Sequence, residues 1–394
     1  MPHTGQASTP TERLRAIGAG WKGVNVQVIV TRTPFRVTLG GGGTDLPSYY
    51  SQYGGFIFAM GIDKHMYVMI NPPIVDRKIR LHYSQSETVD HLDELEHELA
   101  REALRHNGIE DRMEVASMAD LPSGSGLGSS SSYLVGLLNA LHHYRRDYIS
   151  VPQLAEEACH IELNVLGKRI GKQDQYMAAF GGLTVLEIAK DGTVEVSALE
   201  LGSSSVAAFV ANTHIYYTGV SRDAQEVLAD QDRAMTATEA GRSGRIADSL
   251  HQIRDLGRRI LAAIAGEDFD AWGRLLHEHW SLKRGLSSKI SLGWVDQLYQ
   301  QVRREYGVLG GKLIGAGGGG FLMLYNPGGH KRLEQFMASH GMPRLHYSIQ
   351  REGSTILASL DGSRSSLFHP AVTVGSGYAA GNGRSHLHPS APLR

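Results

Sequence analysis

The most informative part of this sequence reads Leu121-Pro-Ser-Gly-Ser-Gly-Leu-Gly-Ser-Ser-Ser-Ser132 and leads directly into an amphipathic pattern. That pattern puts Leu134, Leu138 and Leu141 on one face and predicts a helix over residues 127–144. Glycines let a backbone come close to an anion, and the unpaired N–H groups at a helix start point toward it. The stretch therefore predicts a phosphate-binding loop. No G-x-x-x-x-G-K-[ST] sequence occurs in the chain, so this loop is not of the Walker A type.

A second glycine-rich segment, Gly40-Gly-Gly-Gly-Thr-Asp45, ends a predicted strand that keeps Arg36 and Thr38 on the face opposite the core. Consecutive glycines carry a large cost in conformational entropy, which favours close backbone approach to a ligand. Asp45 would then contact a substrate. A flexible hairpin, in which Asp45 only fixes the turn before Pro47, explains the same spacing equally well.

A third segment, Gly315-Ala-Gly-Gly-Gly-Gly320, formally matches the G-x-G-x-x-G fingerprint of dinucleotide-binding domains. That fingerprint has to open a helix. Here it is followed by Phe321-Leu-Met-Leu-Tyr325, an apolar run that predicts a strand. The context therefore excludes the dehydrogenase interpretation.

Two acidic residues stand out by position. Glu162 lies on the apolar stripe of a helix predicted over residues 151–166, where a buried carboxylate needs a cation. A partly exposed boundary position is the alternative. Asp174 begins a short helix that ends at Gly181, and from the sequence alone an N-cap is favoured over a catalytic base.

The composition narrows the class of protein. The chain has 394 residues, with 41% hydrophobic and 20% charged, which predicts a globular protein of two or three domains. Its 39 basic and 40 acidic residues leave no basic field for nucleic acid or an anionic membrane. No apolar run approaches the roughly 18 residues of a membrane span, and the first residues lack a signal-peptide core, so a cytoplasmic location is expected. The single cysteine, Cys159, excludes a disulfide framework.

The order of the predicted elements favours an α+β fold. Strands are predicted over residues 24–30, 35–39, 55–62, 66–70, 183–188, 193–199, 206–217 and 345–350. Helices are predicted over residues 87–106, 127–144, 151–166 and 330–340, with helix dominating residues 222–306. We expect flexible tails at 1–23 and 361–394, an N-terminal lobe at 24–205 and a C-terminal lobe at 206–360.

Three motifs together resemble those of the GHMP family of small-molecule kinases, which includes galactokinase, homoserine kinase and mevalonate kinase. They are Thr33-Pro-Phe-Arg36 with residues 40–45, Pro122-x-x-x-Gly-Leu-Gly-Ser-Ser130, and residues 315–320. The resemblance covers about residues 26–355. It implies an N-terminal lobe like domain 2 of ribosomal protein S5 and a ferredoxin-like C-terminal lobe, with the active site between them.

The resemblance also implies roles for individual residues. ATP would bind Pro122, Gly124, Ser125, Gly126, Leu127, Gly128, Ser129 and Ser130. Magnesium would bind Ser130 and Glu162, while Asp174 and Arg36 would be catalytic. The acceptor would contact Gly42, Gly43, Thr44, Asp45, Gly317 and Gly318, and its phosphate would bind Arg222, Lys283 or Lys312.

The segments Arg36-Val-Thr-Leu-Gly-Gly-Gly-Gly-Thr-Asp45 and Gln173-Asp-Gln-Tyr-Met-Ala-Ala-Phe-Gly-Gly182 are similar to a branch of this family that phosphorylates heptose 7-phosphate. This similarity implies a kinase that uses ATP and Mg²⁺ to phosphorylate the C1 hydroxyl of D-glycero-D-manno-heptose 7-phosphate. A kinase of a free sugar, such as fucose or galactose, is the alternative enzyme. A non-catalytic sugar-sensing homologue is a further alternative, against which the complete set of Ser130, Glu162 and Asp174 argues.

Overall fold

The computed structural model describes residues 27–220, 232–233, 235, 242–287 and 290–361, and these residues form the expected α+β fold. The strands are β1 (Gln27–Gly40), β2 (Gly55–Asn71), β3 (Ile79–His82), β4 (Ser86–Val89), β5 (Met113–Ala119), β6 (Leu183–Ile188), β7 (Val194–Ala198), β8 (Thr213–Tyr217), β9 (Gly310–Leu313), β10 (Phe321–Tyr325), β11 (Arg344–Leu345) and β12 (Thr355–Asp361). The helices are α1 (Pro47–Tyr53), α2 (Glu98–His106), α3 (Ser129–Arg145), α4 (Val151–Cys159), α5 (Gln173–Phe180), α6 (Ser203–Asn212), α7 (Arg242–Ala265), α8 (Phe269–Arg284), α9 (Gly293–Glu305) and α10 (His330–Ser339). The tail predicted at 1–23 and residues 362–394 of the other tail lie outside the described residues.

Two sheets organise the described chain. The larger has the strand order β12-β1-β2-β5-β3-β4, and β6 and β7 extend it from the first half of β2. The smaller has the order β11-β8-β10-β9, with every pair antiparallel. Helix α3 packs on β1 and β2 through side chains such as Leu134 and Leu138, which are fully buried. The helix predicted from the leucine spacing is thereby confirmed.

The two sheets share one apolar core. Phe35 and Phe58 of the larger sheet belong to the same buried cluster as Ile260 of α7, Trp272 of α8 and Phe321 of β10. Burying such large side chains removes apolar surface from water, which stabilises the folded state by about 25 cal/mol per Å² of buried apolar area. The two sheets are therefore packed against each other through this cluster.

Three predicted elements differ in the structure. Residues 87–106 are not one helix, because β4 pairs with β3 and the helix α2 starts only after His97, whose side chain accepts the Ala100 N–H at 3.2 Å. Residues 206–217 are a helix followed by a strand, since Ser205 and Phe209 bury the face of α6 at helical spacing. The predicted helix 151–166 is α-helical only to Cys159, after which residues 160–165 form a π-helical turn.

Three further strands differ from the prediction. The predicted strands 55–62 and 66–70 are one strand, β2, with an irregular register opposite Pro34 and Phe35. Residues 345–350 contribute only the short β11 and an isolated bridge between Ile62 and Ile349. Strand β12 was not predicted, and it returns from the segment assigned to the C-terminal lobe to pair with β1 of the larger sheet. None of the helices within the described ranges is both long and apolar enough to cross a bilayer.

The third glycine segment, residues 315–320, packs backbone to backbone on the predicted phosphate-binding loop. A Cβ on Gly320 would lie 2.2 Å from the Ser125 carbonyl oxygen, and one on Gly315 would lie 2.3 Å from that of Gly126. Gly320 also has a φ of +80°, which L-residues rarely adopt. The glycines at these positions therefore allow the two loops to pack closely against each other.

We predict that Gly320→Ala lowers the free energy of unfolding by about 2 to 4 kcal/mol, because the methyl group adds a backbone clash to an unfavourable φ. Gly341→Ala is the matched control. Gly341 has a similar φ of +71°, and a Cβ added there would meet no atom of the described residues within 4 Å, so its cost should stay near 1 kcal/mol. Urea unfolding of both variants measures the difference, and equal losses would contradict the packing argument.

Candidate active site

A cleft between the two sheets brings together the three glycine-rich segments. Its lining contains most of the residues predicted from the sequence, namely Arg36, Gly42, Gly43, Asp45, Gly124, Gly126, Gly128, Ser129, Ser130, Glu162, Asp174 and Lys283. The residues that sequence reasoning did not single out include Ser131, Lys168 and Gln173. These segments are distant in the sequence, so the fold assembles the cleft.

The phosphate-binding loop ends where helix α3 begins. Gly128 occupies the N-cap position with a φ of 83°, and the helix starts at Ser129. The N–H groups of the first helical turn have no partner within the helix. They lie at the positive end of the helix macrodipole, which favours a bound anion. Because no side chain caps this end, the geometry suits a phosphate group.

Three residues predicted to bind ATP do not line the cleft. Leu127 is fully buried in the apolar core, and only its carbonyl oxygen, which accepts the Arg36 backbone N–H at 3.1 Å, takes part in the site. Ser125 is 1% exposed and lies beneath Gly320, while Pro122 is exposed outside the lining. Their contribution is to shape the loop.

Arg36 connects the loop to the acid at the start of α5. Its Nε and Nη2 atoms each lie 2.7 Å from Asp174 Oδ1, and its Nη1 donates to the Gly126 carbonyl oxygen at 2.7 Å. The residue is 5% exposed, as the predicted face of β1 becomes the floor of the cleft. A buried guanidinium requires such complete pairing.

Asp174 is not an N-cap. The N-cap position of α5 is Lys172, and Asp174 lies in the first turn with its carboxylate directed at Arg36. Its side chain remains 28% exposed, so it is open to the cleft. A carboxylate held by an arginine and open to a ligand can orient and accept a proton from a hydroxyl group.

Asp45 is both a turn residue and a cleft residue. Its Oδ1 accepts the Gly43 N–H at 3.2 Å, and its Oδ2 accepts the Gln173 N–H at 3.1 Å. Burial and the nearby Asp174 charge raise the pKa of Asp45. Thr44, predicted to contact the acceptor, instead uses its hydroxyl on the carbonyl oxygens of Gly41 and Phe56 and does not line the cleft.

Glu162 is fully buried rather than at a boundary. Its Oε2 accepts hydrogen bonds from Ser131 Oγ at 2.7 Å and Gln175 Nε2 at 2.6 Å. Among the described residues its Oε1 has no hydrogen-bond partner, and it lies 3.7 Å from Lys168 Nζ. Burial raises the pKa of Glu162, and Lys168 opposes that shift.

The environment of Glu162 fits a divalent cation. An unpartnered buried carboxylate oxygen facing a polar cleft is a hard oxygen ligand of the kind that Mg²⁺ prefers. Within the described residues no three His, Cys, Asp or Glu side chains cluster as metal ligands, so hydroxyl and phosphate oxygens would complete the shell. Ser130 lines the cleft, but the hydroxyl that contacts Glu162 belongs to Ser131. The sequence contains four consecutive serines, 129–132, and it could not indicate which of their hydroxyl groups contacts Glu162.

The predicted cations are only partly at the cleft. Lys283 lines it, with its Nζ donating to the Gly315 carbonyl oxygen at 2.5 Å, and burial with the Arg36 charge lowers the pKa of Lys283 to about 8. Lys312 lies outside the lining with its Nζ 3.5 Å from the Leu39 carbonyl oxygen. Burial, Lys283 and Arg36 lower its pKa well below the usual value. Arg222 lies outside the described residues.

The predicted acceptor residues Gly317 and Gly318 turn away from the cleft. Gly318 N–H donates to the Ile290 carbonyl oxygen at 2.8 Å, and a Cβ on Gly317 would lie 2.6 Å from the same oxygen. Their neighbours Gly315 and Ala316 line the cleft instead. The third glycine segment therefore lines the cleft with its first two residues and not with the predicted Gly317 and Gly318.

Comparison with known proteins identifies two kinase domains in the chain. Two family models match the chain, the GHMP kinase N-terminal domain at residues 93–182 and the GHMP kinase C-terminal domain at residues 260–339. A D-glycero-alpha-D-manno-heptose 7-phosphate kinase of Campylobacter jejuni is 26% identical over 316 residues, covering 76% of this chain and 90% of that protein.

Solved structures show the same fold. A D-glycero-D-manno-heptose 1-phosphate kinase of Bacteroides thetaiotaomicron has a TM-score of 0.68 at 21% identity, over 84% of this chain and 99% of that one. Lactococcus lactis galactokinase complexed with galactose has a TM-score of 0.67 at 20% identity, over 89% of this chain and 100% of that one. The chain therefore contains the N-terminal and C-terminal domains of GHMP kinases, and its relatives are consistent with an ATP-dependent phosphotransferase.

Proposed function

We propose that this kinase transfers the γ-phosphate of ATP to the C1 hydroxyl of D-glycero-D-manno-heptose 7-phosphate, giving the 1,7-bisphosphate in the cytoplasm. The observation that carries the chemistry is the Arg36 guanidinium, which joins Asp174 to the Gly126 carbonyl oxygen. It holds a candidate base beside a candidate phosphate site. The choice of acceptor is supported by the name of the Campylobacter jejuni relative and by the cation Lys283 in the cleft.

The backbone of residues 124–130 would hold the ATP phosphates at the N-terminus of α3. Glu162 and Ser130 would hold Mg²⁺, with Ser131 and Gln175 keeping the carboxylate in place. When bound, the metal neutralises charge on the phosphate groups. Arg36 stabilises negative charge that develops on the transferred group.

Asp174 would orient the C1 hydroxyl and accept its proton. An anomeric hydroxyl is more acidic than an ordinary alcohol, so correct positioning contributes more than strong basicity. The Arg36 contact and the 3.0 Å hydrogen bond from Gln173 Nε2 fix the carboxylate for this purpose. Asp45, on the neighbouring wall, would bind other hydroxyls of the sugar.

The direct test of this function is a panel of sugars and sugar phosphates, with ADP release and phosphate transfer measured for each. We expect heptose 7-phosphate to give the highest kcat/KM and free heptose to be a poor substrate. Transfer to fucose or galactose with equal efficiency would replace the proposal by a free-sugar kinase. Sugar binding without any turnover would replace it by a sensing role.

Asp174→Asn should lower kcat by roughly 10²- to 10⁴-fold, because the amide keeps the shape but cannot accept the proton. Nucleotide affinity should change little, since Asp174 acts on the acceptor. The control is Asp248→Asn on the exposed face of α7. Steady-state kinetics with a nucleotide titration make the measurement, and near-normal turnover would remove Asp174 from the mechanism.

Glu162→Gln should raise the Mg²⁺ concentration needed for half-maximal activity by roughly tenfold or more, because a neutral amide is a weaker ligand for a hard cation. Excess Mg²⁺ should restore part of the activity. Glu305→Gln, at an exposed position of α9, is the control. An unchanged metal requirement in the Glu162 variant would contradict its assignment as a ligand.

Lys283→Ala should raise the KM for heptose 7-phosphate by roughly ten- to hundredfold while leaving the KM for ATP nearly unchanged, because charge-assisted hydrogen bonds to the phosphate are lost. Lys331→Ala, at an exposed position of α10, is the control. If the substrate KM stays at the wild-type value, Lys283 does not bind the acceptor phosphate.

The pH dependence gives a second check on Lys283. Its protonated form binds a phosphate dianion, and its pKa is lowered to about 8. Affinity for heptose 7-phosphate should therefore be full near pH 7, above the second pKa of the phosphate at about 6, and decline as the pH rises through 8. The Lys283→Ala variant should lack this decline, and its persistence would assign the titration to another group.

A further inference from the structure

Among the described residues, Lys168 is the cation that faces Glu162 Oε1. Its Nζ lies 3.7 Å from Glu162 Oε1, and the side chain is only 11% exposed. Glu162 Oε2 is already occupied by Ser131 and Gln175. Oε1 is therefore the position left for a cation, and in this structure the ammonium of Lys168 faces it.

The backbone of Lys168 is fixed by a hydrogen bond, whereas its ammonium faces Glu162 Oε1 at a longer distance. Its N–H donates to the Glu162 carbonyl oxygen at 2.9 Å, which closes the π-helical turn at residues 160–165. The ammonium, in contrast, makes no hydrogen bond to the carboxylate, since 3.7 Å exceeds hydrogen-bond distance. A flexible four-carbon stem on a fixed backbone can redirect its charge without moving the loop.

Lys168 also borders the predicted phosphate site. It lines the same cleft as Gly124, Gly126 and the serines that begin α3. An ammonium and a divalent cation cannot both approach one carboxylate oxygen closely, because their charges repel. Phosphate groups in the cleft would offer the lysine a new partner once a metal takes the carboxylate.

We propose that the ammonium of Lys168 pairs with Glu162 in the nucleotide-free enzyme. When Mg²⁺ binds Glu162, the same ammonium moves to the ATP phosphates. The inference rests on the proposed metal site but not on the identity of the sugar. Lys168 offsets the charge of the buried carboxylate and lowers the affinity of the empty site for metal. Mg²⁺ consequently enters together with ATP, whose phosphates receive the displaced lysine.

The test is Lys168→Met, which keeps the length of the stem and removes the charge. Mn²⁺ binding to the nucleotide-free enzyme, followed by electron paramagnetic resonance, should tighten by roughly tenfold or more because a competing cation is lost. Mn²⁺ should also raise the melting temperature more in the variant than in the wild type. The KM for MgATP should rise by roughly tenfold, because a phosphate contact is lost. The two affinities therefore change in opposite directions.

Two variants serve as controls. Lys168→Arg keeps the charge and should retain both wild-type affinities within a few-fold. Arg169→Met removes the charge next to Lys168 in the sequence and should change neither affinity. The Arg169 side chain is 54% exposed and paired with Asp232 at 3.4 Å. If the methionine variant does not fold, Lys168→Gln carries the same expectation.

Weaker Mn²⁺ binding in Lys168→Met would overturn the proposal, since Lys168 would then only support Glu162. Unchanged Mn²⁺ and MgATP affinities would overturn it as well, since the lysine would then be an ordinary structural charge. Failure of heptose 7-phosphate as a substrate would refute the proposed function alone, because the metal measurement needs neither sugar nor turnover.

Discussion

The contact of the Arg36 guanidinium with Asp174, together with its hydrogen bond to the Gly126 carbonyl oxygen, is the interaction on which the cleft depends. It joins a strand of the larger sheet, the start of α5 and the loop before α3. A buried charge is stable only while its partners stay in place, and losing one partner of such a pair costs about 3 to 5 kcal/mol. The relative positions of the proposed base and the proposed phosphate site are thereby coupled to the stability of the fold.

Charge pairing explains the rest of the cleft. Asp174 is paired with Arg36, and Glu162 faces Lys168, so two acids have nearby cations before any ligand binds. Lys283, in contrast, is buried with its ammonium on the Gly315 carbonyl oxygen, and burial together with the Arg36 charge lowers its pKa. A phosphorylated acceptor would supply the missing negative charge. The third glycine segment permits this arrangement, because its close approach to the phosphate-binding loop brings Gly315 beside Lys283.

The sequence predicted the parts of the site that local chemistry encodes. The glycine–serine loop with its helix, the buried acid Glu162 and the polar face of β1 could be predicted because glycine content and periodicity report local backbone needs. It could not predict which serine faces Glu162, since four equal side chains differ only by the rotation of α3. The strand β12 was also missed, because its pairing with β1 joins residues more than 300 positions apart. Such contacts follow from tertiary packing and leave no local pattern.

The identity of the reaction product tests the central claim most directly. Purified enzyme, ATP, Mg²⁺ and D-glycero-D-manno-heptose 7-phosphate should give a product whose new phosphorus signal in ³¹P NMR couples to the anomeric proton. That result would place the transferred group on the C1 oxygen, as the role proposed for Asp174 beside the predicted phosphate-binding loop predicts. A phosphate on any other carbon, or release of inorganic phosphate without a new sugar phosphate, would contradict the account.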